Sequence, residues 1–153
     1  MNTFCGLDFG TSNSTIGIVK QNQSELVLFE NNKPVIRSAI FCDAEAKEWK
    51  FGQQGIDDYL DGTPGRLMMS LKSVLGSSLM DDKTVIFNEL IPYTDVLKHF
   101  MQHLKSTAEN SLGRELTQVI LGRPVHFDDD NLDKDQIAQD TLEKIARKIG
   151  FKE

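Results

Sequence analysis

The feature that most constrains this chain is its opening, where two short apolar runs flank a small polar bend. Residues 4–9 and 15–20 are rich in Ile, Val, Leu and Phe, and Gly10-Thr11-Ser12-Asn13-Ser14 between them supplies turn formers. This pattern predicts an antiparallel hairpin. A third strand is expected over 25–30, after the polar turn Gln21-Asn22-Gln23-Ser24, so the opening reads as a meander and not as a βαβ unit.

Further along, Asn31-Asn32-Lys33-Pro34 signals a turn, and 35–42 has the composition of another strand. A short helix is expected over 53–60, ending at the breakers Asp61-Gly62-Thr63-Pro64-Gly65, and a short helix or irregular piece over 66–75, closed by Gly76. From Thr94 the period changes. Val96, Leu97, Phe100, Met101, Leu104 and Ala108 recur three and four apart, which predicts a helix capped by Thr94 and ended by Gly113. A buried strand is expected over 118–121, followed by a helix over 134–149 with Ile137, Leu142, Ile145, Ala146 and Ile149 on one face and Gly150 as its stop. Helix, strand, helix implies an α/β layer, and the alternation calls for a further strand after residue 153. The reading is therefore one lobe of something larger.

Composition narrows the function classes. With 17 Lys and Arg against 23 Asp and Glu, and no cationic cluster, nucleic acid is not an expected partner, because phosphate backbones are held by grouped cations. Cys5 and Cys42 form no CxxC pair, so reduced buried thiols are expected, not a disulfide framework or thiolate zinc site. Acid at Asp8 arrives too early for a signal peptide, and no apolar run reaches the roughly 20 residues that span a bilayer. A cytoplasmic protein without membrane partners is expected.

The bend after Asp8 carries the most chemistry. Gly10 lets the backbone approach a ligand without a Cβ in the way, and a tight turn gathers amides on one side to make an anion cradle. Thr11, Ser12 and Asn13 add short donors, and Asp8 is placed to hold magnesium, directly or through water, against nucleotide phosphates. From residue types alone, an ordinary polar hairpin turn fits equally well. No Gly-Lys-Ser/Thr occurs, and no GxGxxG opens a helix, so a nucleotide would need an architecture other than the Walker or Rossmann one.

Gly6-Leu7-Asp8-Phe9-Gly10-Thr11-Ser12-Asn13-Ser14 resembles the first phosphate motif of the actin, sugar-kinase and heat-shock-protein superfamily, in the form typical of the seventy-kilodalton heat-shock (DnaK-like) chaperones. Leu71-Lys72-Ser73-Val74-Leu75-Gly76 resembles those chaperones' lysine segment near the γ-phosphate. Val119-Ile120-Leu121-Gly122-Arg123-Pro124-Val125-His126-Phe127 resembles the strand and proline that relay signals to the substrate domain. Arg123, Val125-His126 and the acidic run after Phe127 depart from the family pattern, which points to a divergent YegD-like bacterial member.

The resemblance implies a ribonuclease H-like, actin-like ATPase lobe: a mixed sheet with antiparallel N-terminal hairpins flanked by helices, spanning 1–153, with 39–93 as an inserted subdomain. It implies ATP or ADP with Mg as cofactors. Asp8 and Lys72 are the implied catalytic pair, with Asp8 organising Mg-bound water and Lys72 positioning the attacking water. Gly10, Thr11, Ser12 and Asn13 would wrap the β and γ phosphates, and Pro124 would act as a conformational relay. The second lobe and the substrate-binding domain would lie beyond Glu153, so this piece alone is expected not to turn over ATP. Polypeptide clients and co-chaperones are the implied partners of the full-length protein. Two alternatives share the opening hairpin: an ATP-dependent sugar or small-molecule kinase of the same superfamily, and a nonhydrolysing scaffold module.

Other constellations have plainer readings. His99 and His103 stand one helical turn apart without a third ligand, and are expected to be exposed. The run Asp128-Asp129-Asp130-Asn131-Leu132-Asp133-Lys134-Asp135 has Lys134 where a calcium loop requires glycine, so it reads as a solvated loop leading into a helix N-terminus. Trp49, Phe51, Tyr59, Met68 and Met69 are expected in the core.

Overall fold

The computed structural model describes residues 3–122 and 132–152. The opening hairpin forms as expected, with β1 (Phe4–Phe9) antiparallel to β2 (Asn13–Lys20) and Cys5, Leu7 and Phe9 turned into the core on alternate positions. β2 continues into β3 (Gln23–Leu26) through Gln21 and Asn22, both left-handed (φ 51° and 65°), the two-residue turn whose twist matches that of its strands. The third strand therefore lies earlier than 25–30, because the tight turn begins pairing at once. The short β4 (Ile36–Arg37) also joins β2, and the late strand β10 (Gln118–Gly122) lies parallel to β1, giving the order β10-β1-β2-β3 with β4 beside β2.

The run 35–42 is divided between two sheets. After β4 the chain passes into β5 (Ala39–Asp43), the centre of a second sheet between β6 (Glu48–Phe51) and β7 (Gly65–Met69), both antiparallel to it. β5 is buried at every position, which explains the apolar run Ala39-Ile40-Phe41-Cys42 that precedes its last residue, Asp43. β7 falls where a helix or irregular piece was expected, because pairing with β5 overrides the helix preference of Leu67, Met68 and Met69. Helix α1 (Gln53–Leu60) occupies its expected span, and β8 (Lys83–Ile86) and β9 (Glu89–Pro92) form a separate hairpin.

Helix α2 (Tyr93–Leu112) buries the predicted stripe and ends at Gly113 in the left-handed conformation. Thr94 does not cap it. The helix starts two residues earlier than that cap would place it, after Pro92, and its first amide is satisfied by the Asp82 carbonyl at 3.1 Å. Phe100 is the joint of the molecule, with ring centroids 5.8 Å from Phe9 of the first sheet and 6.3 Å from Phe51 of the second. Full burial of such a side chain contributes about 1.5–3 kcal/mol.

Helix α3 (Leu132–Lys148) buries Ala138, Leu142, Ile145 and Ala146, followed by Ile149. Ile137, one position off that stripe, is 52 % exposed, since a step of one residue rotates a side chain by more than a quarter turn around the helix. The expected buried strand β10 is only half covered, and Ile120 is 69 % exposed on the open sheet face. Asp133 and Asp135 do stand in the first turn of α3, where acid complements the helix dipole. At the far end of α2, buried Lys105 pairs with Glu109 and lies 5.3 Å over the Phe151 ring, while Glu109 also accepts the Leu116 amide at 2.9 Å. That shared carboxylate fastens α2 to the entry of β10.

Candidate functional site

Asp8 is the penultimate residue of β1, exposed, and in register with Gly122 of β10, whose missing Cβ keeps the space beside the carboxylate open. The bend then folds back so tightly that a Cβ on Gly10 would fall 2.1 Å from the Asn13 carbonyl oxygen. Ser38, between β4 and β5, holds this shape from the side. Its amide donates to the Ser12 carbonyl at 2.9 Å, its hydroxyl donates to the Gly10 carbonyl at 2.8 Å, and it pairs with the buried Ser14 hydroxyl at 2.8 Å. Within Gly10–Asn13 the latch engages only carbonyls. Thr11, Ser12 and Asn13 are exposed, and among the described residues the amides of Thr11 and Ser12 donate to no protein acceptor.

Lys72 arrives from a distant part of the sequence. It sits on a single 3-10 turn (Leu71–Val74) that follows Ser70 in the left-handed conformation, with Leu71, Val74 and Leu75 buried as anchors. The lysine is half-buried. Burial pushes its pKa below the ordinary lysine value, while the Asp8 carboxylate opposes that shift by favouring the charged form. The fold thus brings Asp8, the Gly10–Asn13 bend and Lys72 into one electrostatic neighbourhood. Pro124, with Arg123, Val125, His126 and the acidic run to Asn131, lies outside the described residues. Among the described residues no group of three His, Cys, Asp or Glu forms a metal cluster, and no helix is long and apolar enough to cross a membrane.

Sequence reasoning missed the Ser38 latch, for which a lone serine between two strands gives no signal, and it misjudged the histidines. His99 stacks on the Trp49 indole (4.2 Å, 20°) and His103 on the Phe51 ring (4.3 Å, 10°), so both are half-buried between α2 and β6. Helical spacing placed them on one face but could not show that two aromatics face them. Met68 is buried as expected, whereas Met69 and Tyr59 are 44 % and 49 % exposed. Both cysteines are free and buried, and desolvation pushes Cys5 up to about 12 and Cys42 up to about 11, which leaves them inert as thiols at neutral pH.

The stacked histidines give a pH dependence of known sign. Burial lowers both pKa values. The Lys98 charge lowers His99 further while Asp95 opposes, and Glu30 opposes at His103. The folded state therefore prefers neutral imidazole, while the unfolded chain protonates near the ordinary value of about 6.5. Their stabilisation is fully present above that value and is lost as pH falls through the lowered folded pKa values. The urea midpoint is expected to drop from pH 7 to pH 5 in the wild type and to stay flatter when His99→Gln and His103→Gln are combined. The Asp43 carboxylate, held low first by the Ala46 amide and then by Lys50, loses its contribution only below the carboxylate range and leaves this window clear.

No family model matches the chain. Curated heat-shock chaperones do match most of its length, and the chain belongs to that family, the seventy-kilodalton heat-shock chaperones. In particular, it is similar to the chaperone protein HscA homolog of Pseudoalteromonas atlantica, 31% identical over 144 residues covering 81% of this chain and 22% of the relative. It is also similar to the HscA homolog of Actinobacillus pleuropneumoniae, 25% identical over 146 residues (81% of this chain, 23% of the relative). To chaperone protein DnaK of Mycoplasmopsis pulmonis it is 24% identical over 135 residues (87% and 21%). The chain thus spans about a fifth of the length of the curated relatives it matches.

Proposed function

We propose that this chain is the N-terminal lobe of an ATP-binding chaperone ATPase and supplies its first phosphate-binding loop. The observation that carries the reading is the Asp8 charge reaching Lys72, beside a bend whose Thr11 and Ser12 amides have no protein acceptor among the described residues. Such a bend is an anion cradle, and a carboxylate next to it fits a hydrated cation that neutralises phosphate charge. Asp8 holds magnesium through water, Gly10, Thr11, Ser12 and Asn13 wrap the β and γ phosphates, and Lys72 supplies positive charge where negative charge builds during hydrolysis. Pro124 relays the nucleotide state.

The architecture is of the ribonuclease H-like, actin-like kind, with 39–93 inserted as a subdomain that carries the second sheet, α1 and the β8–β9 hairpin. The protein is cytoplasmic, of the YegD-like branch, and its second lobe and substrate-binding domain complete a machine that grips polypeptide clients under co-chaperone control. Calorimetry of the full-length protein with MgATP tests the reading. Binding, with phosphate release that needs no added sugar, is the expected result. Sugar-dependent ADP release would turn the assignment to a kinase, and absence of binding at millimolar MgATP would leave only a scaffold.

A further inference from the structure

Among the described residues, one guanidinium beside the bend has no ion-pair partner. Arg37 of β4 stands in register with Asn13, the last residue of the bend, on the strand that Ser38 and the Thr15 bond to the Pro34 carbonyl (2.6 Å) fasten to β2. Its Nε is buried without a hydrogen-bond partner, and among the described residues its guanidinium forms no ion pair. A half-buried guanidinium pays for desolvation unless an anion or acceptor compensates it, and with Nε shut from solvent its terminal amino groups are the part left to meet a ligand.

Arg37 and Asn13 line a cavity of about 190 Å3 together with Lys33, Glu30 and Gln53. Water occupies about 30 Å3 per molecule in the liquid, so the space admits a phosphate group with some of its hydration. Glu30 is the one carboxylate on that wall, and both its oxygens are engaged by the Gln53 and Gln54 amides at 2.8 Å, at the start of α1. Its charge is turned to the helix, which leaves Lys33 and Arg37 to set the sign of the cavity. Guanidinium is the side chain whose planar fork matches phosphate oxygens two at a time.

We propose that Arg37 is a phosphate-binding residue on the β4 side of the bend, where it clamps a phosphate group. Held together with the bend, that group is the terminal phosphate of a nucleotide, and in this form the inference rests on the nucleotide reading above. Held by Arg37 and Lys33 alone, it is inorganic phosphate.

Amide and arginine Nε–H resonances of the 153-residue chain decide the matter in titrations with MgATP, MgADP and inorganic phosphate. With MgATP, the Arg37 Nε–H and the Thr11 and Ser12 amides are expected to move together. Arg37→Gln then weakens MgATP about tenfold or more, the range for losing a bond to a charged group, and leaves MgADP within about twofold. Arg37→Lys restores only part, because it keeps the charge and loses the fork. A response to inorganic phosphate at Arg37 with still bend amides upholds the residue as an anion site and removes the nucleotide reading. Bend amides that respond to MgATP while Arg37 stays still, with unchanged affinity in Arg37→Gln, overturn the proposal and leave that reading intact. No response to any of the three overturns the Arg37 site outright. Amide spectra of both variants that match the wild type away from β4 establish that they fold.

Discussion

Changing Lys72 to alanine is expected to lower ATP turnover of the full-length protein by about 10²–10³-fold, the effect of removing one preorganised group that stabilises transition-state charge. The change should leave the fold in place. Leu71, Val74 and Leu75 carry the burial of that turn, and Lys72 presents only its half-buried stem and ammonium. MgATP affinity should fall far less than turnover, because the bend amides and Asp8 remain to hold the phosphates. Steady-state phosphate release measured beside nucleotide affinity separates the two effects. Lys72→Arg should rescue little, since a planar fork cannot replace a compact charge placed by a short turn. Turnover that survives alanine nearly unchanged would remove Lys72 from the chemistry, and with it the convergence on which the functional reading rests.

What could be read from the sequence follows from how local each signal is. The opening hairpin, the α1 span, the α2 stripe and the left-handed stop at Gly113 were legible because strand alternation, helical period and glycine turns act over a few residues. The split of 35–42 between two sheets was not, because it depends on β5 finding β6 and β7 on its two edges. For the same reason β7 was hidden behind the helix preference of its own residues. Asp8, Gly10 and Lys72 stand out in the sequence only by resemblance to a motif, whereas the reach of the Asp8 charge to Lys72 is tertiary, as are the Ser38 latch and the stacking of His99 and His103. Arg37 looked like an ordinary surface cation. Only its register with Asn13 and its unpartnered Nε set it apart.

Gly10 offers the sharpest test of the bend itself. A methyl group placed there lies 2.1 Å from the Asn13 carbonyl oxygen, far inside the separation at which non-bonded atoms attract, and the obstacle is backbone that no side-chain rotation can clear. The bend must open. Opening it pulls the Gly10 and Ser12 carbonyls away from Ser38, whose amide and hydroxyl then lose acceptors in a largely buried setting. Gly10→Ala is therefore expected to lower stability by about 1–3 kcal/mol, the cost of overpacking, and to abolish the amide response to MgATP altogether. Gly6→Ala supplies the control. It lies on β1, the strand that leads into the bend, its added Cβ would meet nothing within 4 Å, and it should stay within about 0.5 kcal/mol of the wild type. Urea midpoints of the two variants, read beside their MgATP titrations, set a shaped anion cradle against a plain surface turn. Only the shaped cradle loses ligand response at Gly10 while keeping it at Gly6. If Gly10→Ala kept both its stability and its response, the cramped geometry of the bend would have no part in holding phosphate.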